Sequence, residues 1–391
     1  MQVSEDRSFG DQKTDRSAQG LVLWRAHGDM ASMVVAVGMH RDVDRVPRKV
    51  TAASESRRRT FAASYCIDKI LATFTGRPPL LQARYKSTPL PLDLTDEALL
   101  AGGDTLAAAV SSLDENGWSK SGNILSATRL RARTLLSLVR EDILDIALCA
   151  PVHDAASRIE ETRRRAVQVF SQLQEVFTYH MSDVKNDEVP GETLFPKILV
   201  RSEHLQNLFL LARLAVRNKQ MPSQELLDLS REILVLTMVI LRYKDKFLSK
   251  YADLEWMLSY YAFPASGVLC VKLLKGDTSG AGPRLTFPRS EVIQNLSMFA
   301  EFLDWIKPTA PNANLCYRVR DIIRNVLDRV LNDSPAIEPT QANHPGGAIP
   351  LDQPGPEILE DYCLDVLDTL DWDKLMESCW GLEDSMVPGI N

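Results

Sequence analysis

The residues of this chain that could carry chemistry are six histidines, six cysteines and a few carboxylate-rich stretches, and their spacing decides whether they do. His40-Arg41-Asp42 has the opening letters of a kinase catalytic loop. It lacks the downstream asparagine, an upstream Gly-rich phosphate loop and an Asp-Phe-Gly. The chain contains no G-x-S-x-G, H-E-x-x-H or G-x-x-x-x-G-K, so nucleophile-elbow, zinc-protease and phosphate-loop mechanisms have no foothold. "GDTSGAG" (Gly276–Gly282) lies between helical patterns with no preceding strand, which makes it a surface loop rather than a dinucleotide loop. "DILD" (Asp142–Asp145) and "DVLDTLD" (Asp365–Asp371) mimic the aspartate-rich metal motifs of terpene-synthase-like enzymes. Neither has a partner motif on a facing helix. His27, His153, His180, His204 and His344 are dispersed, without a ligand-forming neighbour at metal spacing. Cys66, Cys149, Cys270, Cys316, Cys363 and Cys379 form neither a C-x-x-C site nor a disulfide framework, so free thiols in a reducing compartment are expected. The residues point away from catalysis, and neither a catalytic, a cofactor-binding nor a metal residue is assigned.

Such a chain must be organised by its elements. A net charge of −7 argues against a whole-surface nucleic-acid face, and 45% hydrophobic content suits a buried core. The longest strongly apolar run, "ILVLTMVIL" (Ile233–Leu241), is far short of the roughly 20 residues that span a bilayer, so no membrane partner is expected. Helical periodicity places helices at Val22–Val37, Ser54–Phe74, Ile124–Leu148, Ala155–Met181, Leu199–Asn218, Gln224–Ser249, Ala252–Leu274, Glu291–Ile306 and Cys316–Leu331, with a capped start at Thr95. Strand signals and fixed-period repeats are missing, which gives an all-α, large multi-helix bundle over residues 21–331. Residues 1–20 read as a disordered tail, and 332–356 as a Pro/Gly-rich linker. The segment 357–391 alternates acidic and apolar residues.

The most distinctive stretch is "RRRTFAASYCIDKILATFTGRPPLL", Arg57 to Leu81. Phe61, Tyr65, Asp68 and Ala72 share one face of a helix that Gly76 ends and Pro78 and Pro79 prevent from resuming. Asp68 on an apolar face needs a partner, because an unpaired buried carboxylate is costly. Arg77, just past the helix end, is the first candidate and Arg58 the second. The basic triplets Arg57–Arg59 and Arg163–Arg165 are each expected to form a solvated face, with an import signal or phosphate contact as the alternative.

From Trp24 to Leu94 the sequence resembles the middle homology region of fungal zinc-cluster transcription factors. The residues that carry the likeness are Gly38-Met39-His40-Arg41, Arg57-Arg58-Arg59-Thr60-Phe61, Tyr65, Asp68, Gly76-Arg77-Pro78 and Pro89-Leu90-Pro91, in the family's order and spacing. Fainter echoes follow in "RTLLSLVREDIL", "YYAFPASGVLCVKLLK" and "SMFAEFLDWI". Ala62 stands where many members have Trp. The structural signature is thus Arg58, Arg59, Phe61, Tyr65, Asp68, Gly76, Arg77 and Pro78. The resemblance implies a regulatory domain acting in RNA polymerase II transcription, in the nucleus, with no enzymatic activity.

The family's DNA-binding cluster of six cysteines and two zinc ions has no counterpart here, so DNA binding and zinc are expected only through a domain outside this chain. The resemblance also implies a homodimer or heterodimer and, in some members, a small-molecule effector. In the acidic segment Leu367, Leu370, Trp372 and Leu375 are the anchors expected to meet a coactivator, the alternative being a helix packed back on the bundle. The rival to the complete factor is a truncated interaction protein that dimerises with, or inhibits, zinc-cluster factors.

Overall fold

The computed structural model describes residues 24–42, 50–149, 154–173, 175–217, 224–250, 257–275, 286–309 and 313–332. Among them are twelve α-helices and no strand, the all-α architecture expected. The N-terminal tail, all of the linker beyond Asn332 and the segment carrying Leu367, Leu370, Trp372 and Leu375 lie outside the described residues. The chain divides into two compact units, one from Met1–Met221 with Tyr243–Lys250, the other from Pro222–Arg242 with Tyr251–Asn391.

The first unit contains α1 (24–36), α2 (Ala52–Thr75), α3 (Asp96–Ala101), α4 (Gly103–Ser111), α5 (Ser126–Leu148), α6 (Ala155–Ser171), α7 (Met181–Lys185) and α8 (Gly191–Arg217). Helix α5 is its axis and packs on α2, α6 and α8. It can do so because apolar residues surround it: Val139 and Ile143 meet Ile159, Ala166 and Leu211, while Ala132 and Leu136 meet Trp118, Phe177 and Val200. On α2, Phe61 and Tyr65 pack with Ala31, Val34 and Leu81. Burial of each aromatic ring contributes about 1.5–3 kcal/mol.

Local chemistry sets the ends of α2. Thr51 accepts the Ser54 amide at 3.1 Å, and the Ser54 hydroxyl accepts the Thr51 amide at 3.0 Å, a reciprocal capping box. Gly76 closes the helix at φ +60°, a left-handed conformation that side chains with a Cβ rarely adopt. Thr95 caps α3 through the Ala98 amide.

The second unit contains α9 (Gln224–Arg242), a π-turn (Leu258–Ala262), α10 (Phe263–Lys275), α11 (Arg289–Leu303) and α12 (Ala313–Asn332). Helix α10 packs on α9 and α12, and α11 packs on α12. Cys316, Val319, Ile323, Val326 and Leu327 recur at three- and four-residue spacing along α12 and are all buried. They meet Leu234, Met238, Leu269, Leu296 and Phe299 in one core. Among the described residues, no helix is long and apolar enough to cross a membrane.

The expected helix Ala252–Leu274 has residues 252–256 outside the described ones and contains the π-turn before Phe263, and three other helices depart from the periodicity by a turn or more. The pattern over Ala155–Met181 breaks at Ser171 and resumes as a short 3-10 turn at Glu175–Phe177. Helix α8 starts at Gly191 rather than Leu199 and runs through Pro196. That proline falls near the helix start, where its missing amide removes one hydrogen bond without interrupting a long ladder. Helix α9 stops at Arg242, and Lys244–Lys250 tightens into a 3-10 turn instead of continuing to Ser249.

Candidate functional site

The segment from Arg77 to Thr95 contains Pro78, Pro79, Pro89 and Pro91 and forms neither an α-helix nor a strand, only one short 3-10 turn at Ala83–Tyr85. Its backbone amides and carbonyls therefore lack the partners that regular structure provides, and any that are buried must find side chains. Helices α2 and α5 supply them. This strap is held by a ladder of charged groups, and the ladder explains why the distinctive stretch of α2 is rich in arginine and carboxylate.

At the N-terminal end of α2, the buried Glu55 carboxylate accepts the Leu92 amide at 2.8 Å and pairs with Arg58 at 2.7 Å. Arg59 donates to the Leu94 carbonyl at 2.6 Å and also pairs with Asp96. Arg57 donates to the carbonyls of Val37 and Gly38, at 2.9 and 2.6 Å, and so caps the exit of α1. From α5, Arg131 donates to the carbonyls of Pro91 and Asn116, with its guanidinium 4.4 Å above the Trp118 ring. Asp93 of the strap accepts the Ser119 amide at 2.9 Å and the Thr128 hydroxyl at 2.5 Å.

The centre of the ladder is a buried cluster of His27, Tyr65, Asp68, Lys69 and Glu141. Asp68 accepts the amides of Leu80 at 2.8 Å and Leu81 at 3.1 Å. Its other partners are Lys69 Nζ at 2.7 Å and His27 Nε2 at 2.9 Å. The His27 ring lies at ion-pair distance without the alignment of a directed hydrogen bond, and its Nδ1 is buried without a hydrogen-bond partner. Lys69 Nζ also pairs with Glu141 at 3.0 Å, donates to the Leu81 carbonyl and sits 4.0 Å from the centre of the Tyr65 ring. Glu141 accepts the Tyr65 hydroxyl at 2.6 Å and the Ala83 amide at 2.9 Å.

Burial alone would raise the Asp68 pKa, but His27, Lys69 and the Leu80 amide outweigh it and hold the carboxyl below its ordinary value. Burial first, and then the adjacent Glu141 carboxylate, push the Tyr65 phenol well up, so it stays a neutral donor. Cys66 is likewise raised by burial and lies 3.6 Å from the Thr134 hydroxyl, which makes it an inert packed thiol.

The expected partners of Asp68 are corrected by this geometry. Arg58 pairs with Glu55, and Arg77 lies over the Trp24 ring with its guanidinium 5.1 Å from the ring centre. Asp68 is instead reached by a lysine one residue along and by a histidine from α1. Of the remaining signature residues, Arg59, Phe61, Tyr65 and Gly76 sit as described above, Pro78 is exposed, and Ala62 is buried in α2. The basic triplets are largely paired: Arg163 with Glu160, and Arg165 with Asp142. Lys69, Glu55 and Glu141 went unnoticed in the sequence and His27 was read only as an isolated histidine, although it pairs with Asp68; only the sequence neighbourhood of Lys69 and Asp68 could have signalled the cluster.

The arrangement holds backbone groups of the strap. A surface depression of about 800 Å³ is lined by residues that include Trp24, Arg25, Gly28, Ser32, Val35 and Leu80, and none of the cluster residues lines it. The described cysteines Cys66, Cys149, Cys270 and Cys316 form no disulfide, and no His, Cys, Asp or Glu group with metal-binding geometry occurs among the described residues.

Residues 17–117, which take in α1, α2, the strap, α3 and α4, match the family model of the fungal specific transcription factor domain. The match supports the middle domain of fungal transcription factors and a role in transcription regulation, and the family is of a regulatory, non-enzymatic kind. No curated protein and no solved structure matches the chain.

Proposed function

We propose that this chain is the regulatory part of a fungal transcription factor that acts in the nucleus on RNA polymerase II transcription, with DNA contact and zinc supplied by a domain outside it. The observation that carries this reading is the coincidence of the family match with the charged ladder. Residues 17–117 are the matched stretch, and within them Glu55, Arg57, Arg59, Asp68 and Lys69 are each engaged in holding backbone. A cluster of Asp, His, Lys and Tyr at hydrogen-bond distance is a common catalytic inventory. Here every member is buried, and Tyr65, Asp68 and Lys69 are committed to internal hydrogen-bond partners, which suits a scaffold better than an active site. The domain then works by presenting surfaces, to a second regulator, to a coactivator or to a small effector held among its helices.

A direct test tethers the intact chain to an unrelated DNA-binding module upstream of a reporter in a fungal cell. Reporter transcription changes by several-fold if the reading is right. A folded, nuclear fusion that leaves the reporter unaltered, in both an activation and a repression format, removes it.

A further inference from the structure

Helix α1 differs from the rest of its unit in what holds it. It buries Ala31 and Val34 against Phe61, Tyr65 and Leu81, a small apolar contact, while Met33, Val35 and Val37 are exposed. Its other ties are polar and fall at its two ends. Beyond the C-terminal end, Arg57 clasps the carbonyls of Val37 and Gly38, the Thr88 hydroxyl donates to the Met39 carbonyl, and the Ser87 amide donates to the His40 carbonyl at 2.9 Å. Gly38 itself is at φ +68°, a conformation that lets the chain reverse there. Toward the N-terminal end the ties are the His27–Asp68 pair and the stack of Arg77 on Trp24.

From this we propose that α1 is a latch: it pivots at the Gly38 clasp, and the buried His27–Asp68 pair is the catch that keeps it shut. Release uncovers Phe61 and Leu81 beside the already exposed Leu80, and so creates an apolar face that the closed form lacks. Asp68 keeps Lys69 and the amides of Leu80 and Leu81 as partners when the latch opens. The strap therefore stays in place while α1 moves, and the opening is local rather than a step in unfolding. His27 faces Asp68 of α2 and packs beside Trp24, whose ring takes the Arg77 guanidinium of the strap. The inference rests on the packing of α1 and does not depend on the regulatory role.

Amide hydrogen exchange of the intact chain tests it. In the wild type, the amides of 28–36 are expected to exchange at least about tenfold faster than those of α5 between Ala132 and Leu144, because they open without it. His27→Gln is expected to accelerate 28–36 by a further factor of about ten or more while α5 keeps its protection. Equal exchange of α1 and α5 in the wild type, or equal acceleration of both by His27→Gln, overturns the latch. The wild-type comparison decides the matter by itself if the variant fails to fold.

Discussion

Lys69 is the place to press the charged ladder. It is 1% exposed, lies between Asp68 and Glu141 at 2.7 and 3.0 Å, and is the cation shared by two carboxylates. Lys69→Met keeps the length and apolar stem of the side chain and removes only the charge. Asp68 and Glu141 are then left buried without their shared cation. Removing one partner of a buried ion pair costs about 3–5 kcal/mol, mostly from the stranded charge rather than the lost contact. For a unit of this size that corresponds to a fall of about 10 °C in the unfolding midpoint. Urea unfolding followed by far-UV circular dichroism reads the loss. Adding Glu141→Gln to Lys69→Met removes a stranded charge, so the double variant is expected to recover about 1–3 kcal/mol relative to the sum of the singles. If Lys69→Met costs less than about 1 kcal/mol, or if the two changes simply add, the cluster is not an electrostatic unit and the reasoning fails.

Two further perturbations probe other parts of the same unit. His204 is stacked on Phe170 at 4.0 Å, and burial first, with Arg201 adding to it, lowers its pKa from 6.5 to about 4. The unfolded chain therefore takes up this proton first as pH falls, so stability should drop between about pH 6.5 and 4. At about 1.4 kcal/mol per pH unit the loss comes to about 3.5 kcal/mol. His204→Phe should flatten that part of the stability–pH curve, and an unchanged slope would place the ring in water. Gly191 starts α8 against the Lys244–Lys250 turn, and a Cβ there would lie 1.8 Å from the Lys246 carbonyl oxygen. Gly191→Ala must displace backbone, at a cost of about 1–3 kcal/mol, measurable as a lowered melting temperature; an unaltered melt would mean the two segments are not in contact.

What could be foreseen from the sequence was what local chemistry determines. The start of α3 at Thr95 and the stop of α2 at Gly76 depend on residues within one turn of each other, so they were legible. So was the burial of Phe61, Tyr65, Asp68 and Ala72, because helical spacing alone puts them on one face. The partner of Asp68 was not, because it depends on how distant segments meet. Glu141 reaches Tyr65 across 76 positions, and a lone glutamate in an amphipathic helix looks like any solvated residue. Lys69 misled for a second reason: residues one apart on a helix do not usually face each other, yet the Lys69 side chain is long enough to fold back over the Tyr65 ring and reach the Asp68 carboxylate. Arg77 seemed better placed because it lies just past the helix end that Pro78 fixes, yet it lies over the Trp24 ring.

Asp68 joins all three parts of the account: the helix, the strap and the latch. The most direct measurement compares the stability of Asp68→Asn and Asp68→Ala with the wild type at neutral pH. Asparagine retains an oxygen for the Leu80 or Leu81 amide but loses the charge opposite Lys69, whereas alanine loses both. The account predicts a marked loss in each, larger for alanine, with the strap amides of Leu80 and Leu81 losing exchange protection. Melting temperatures unchanged in both variants would contradict it.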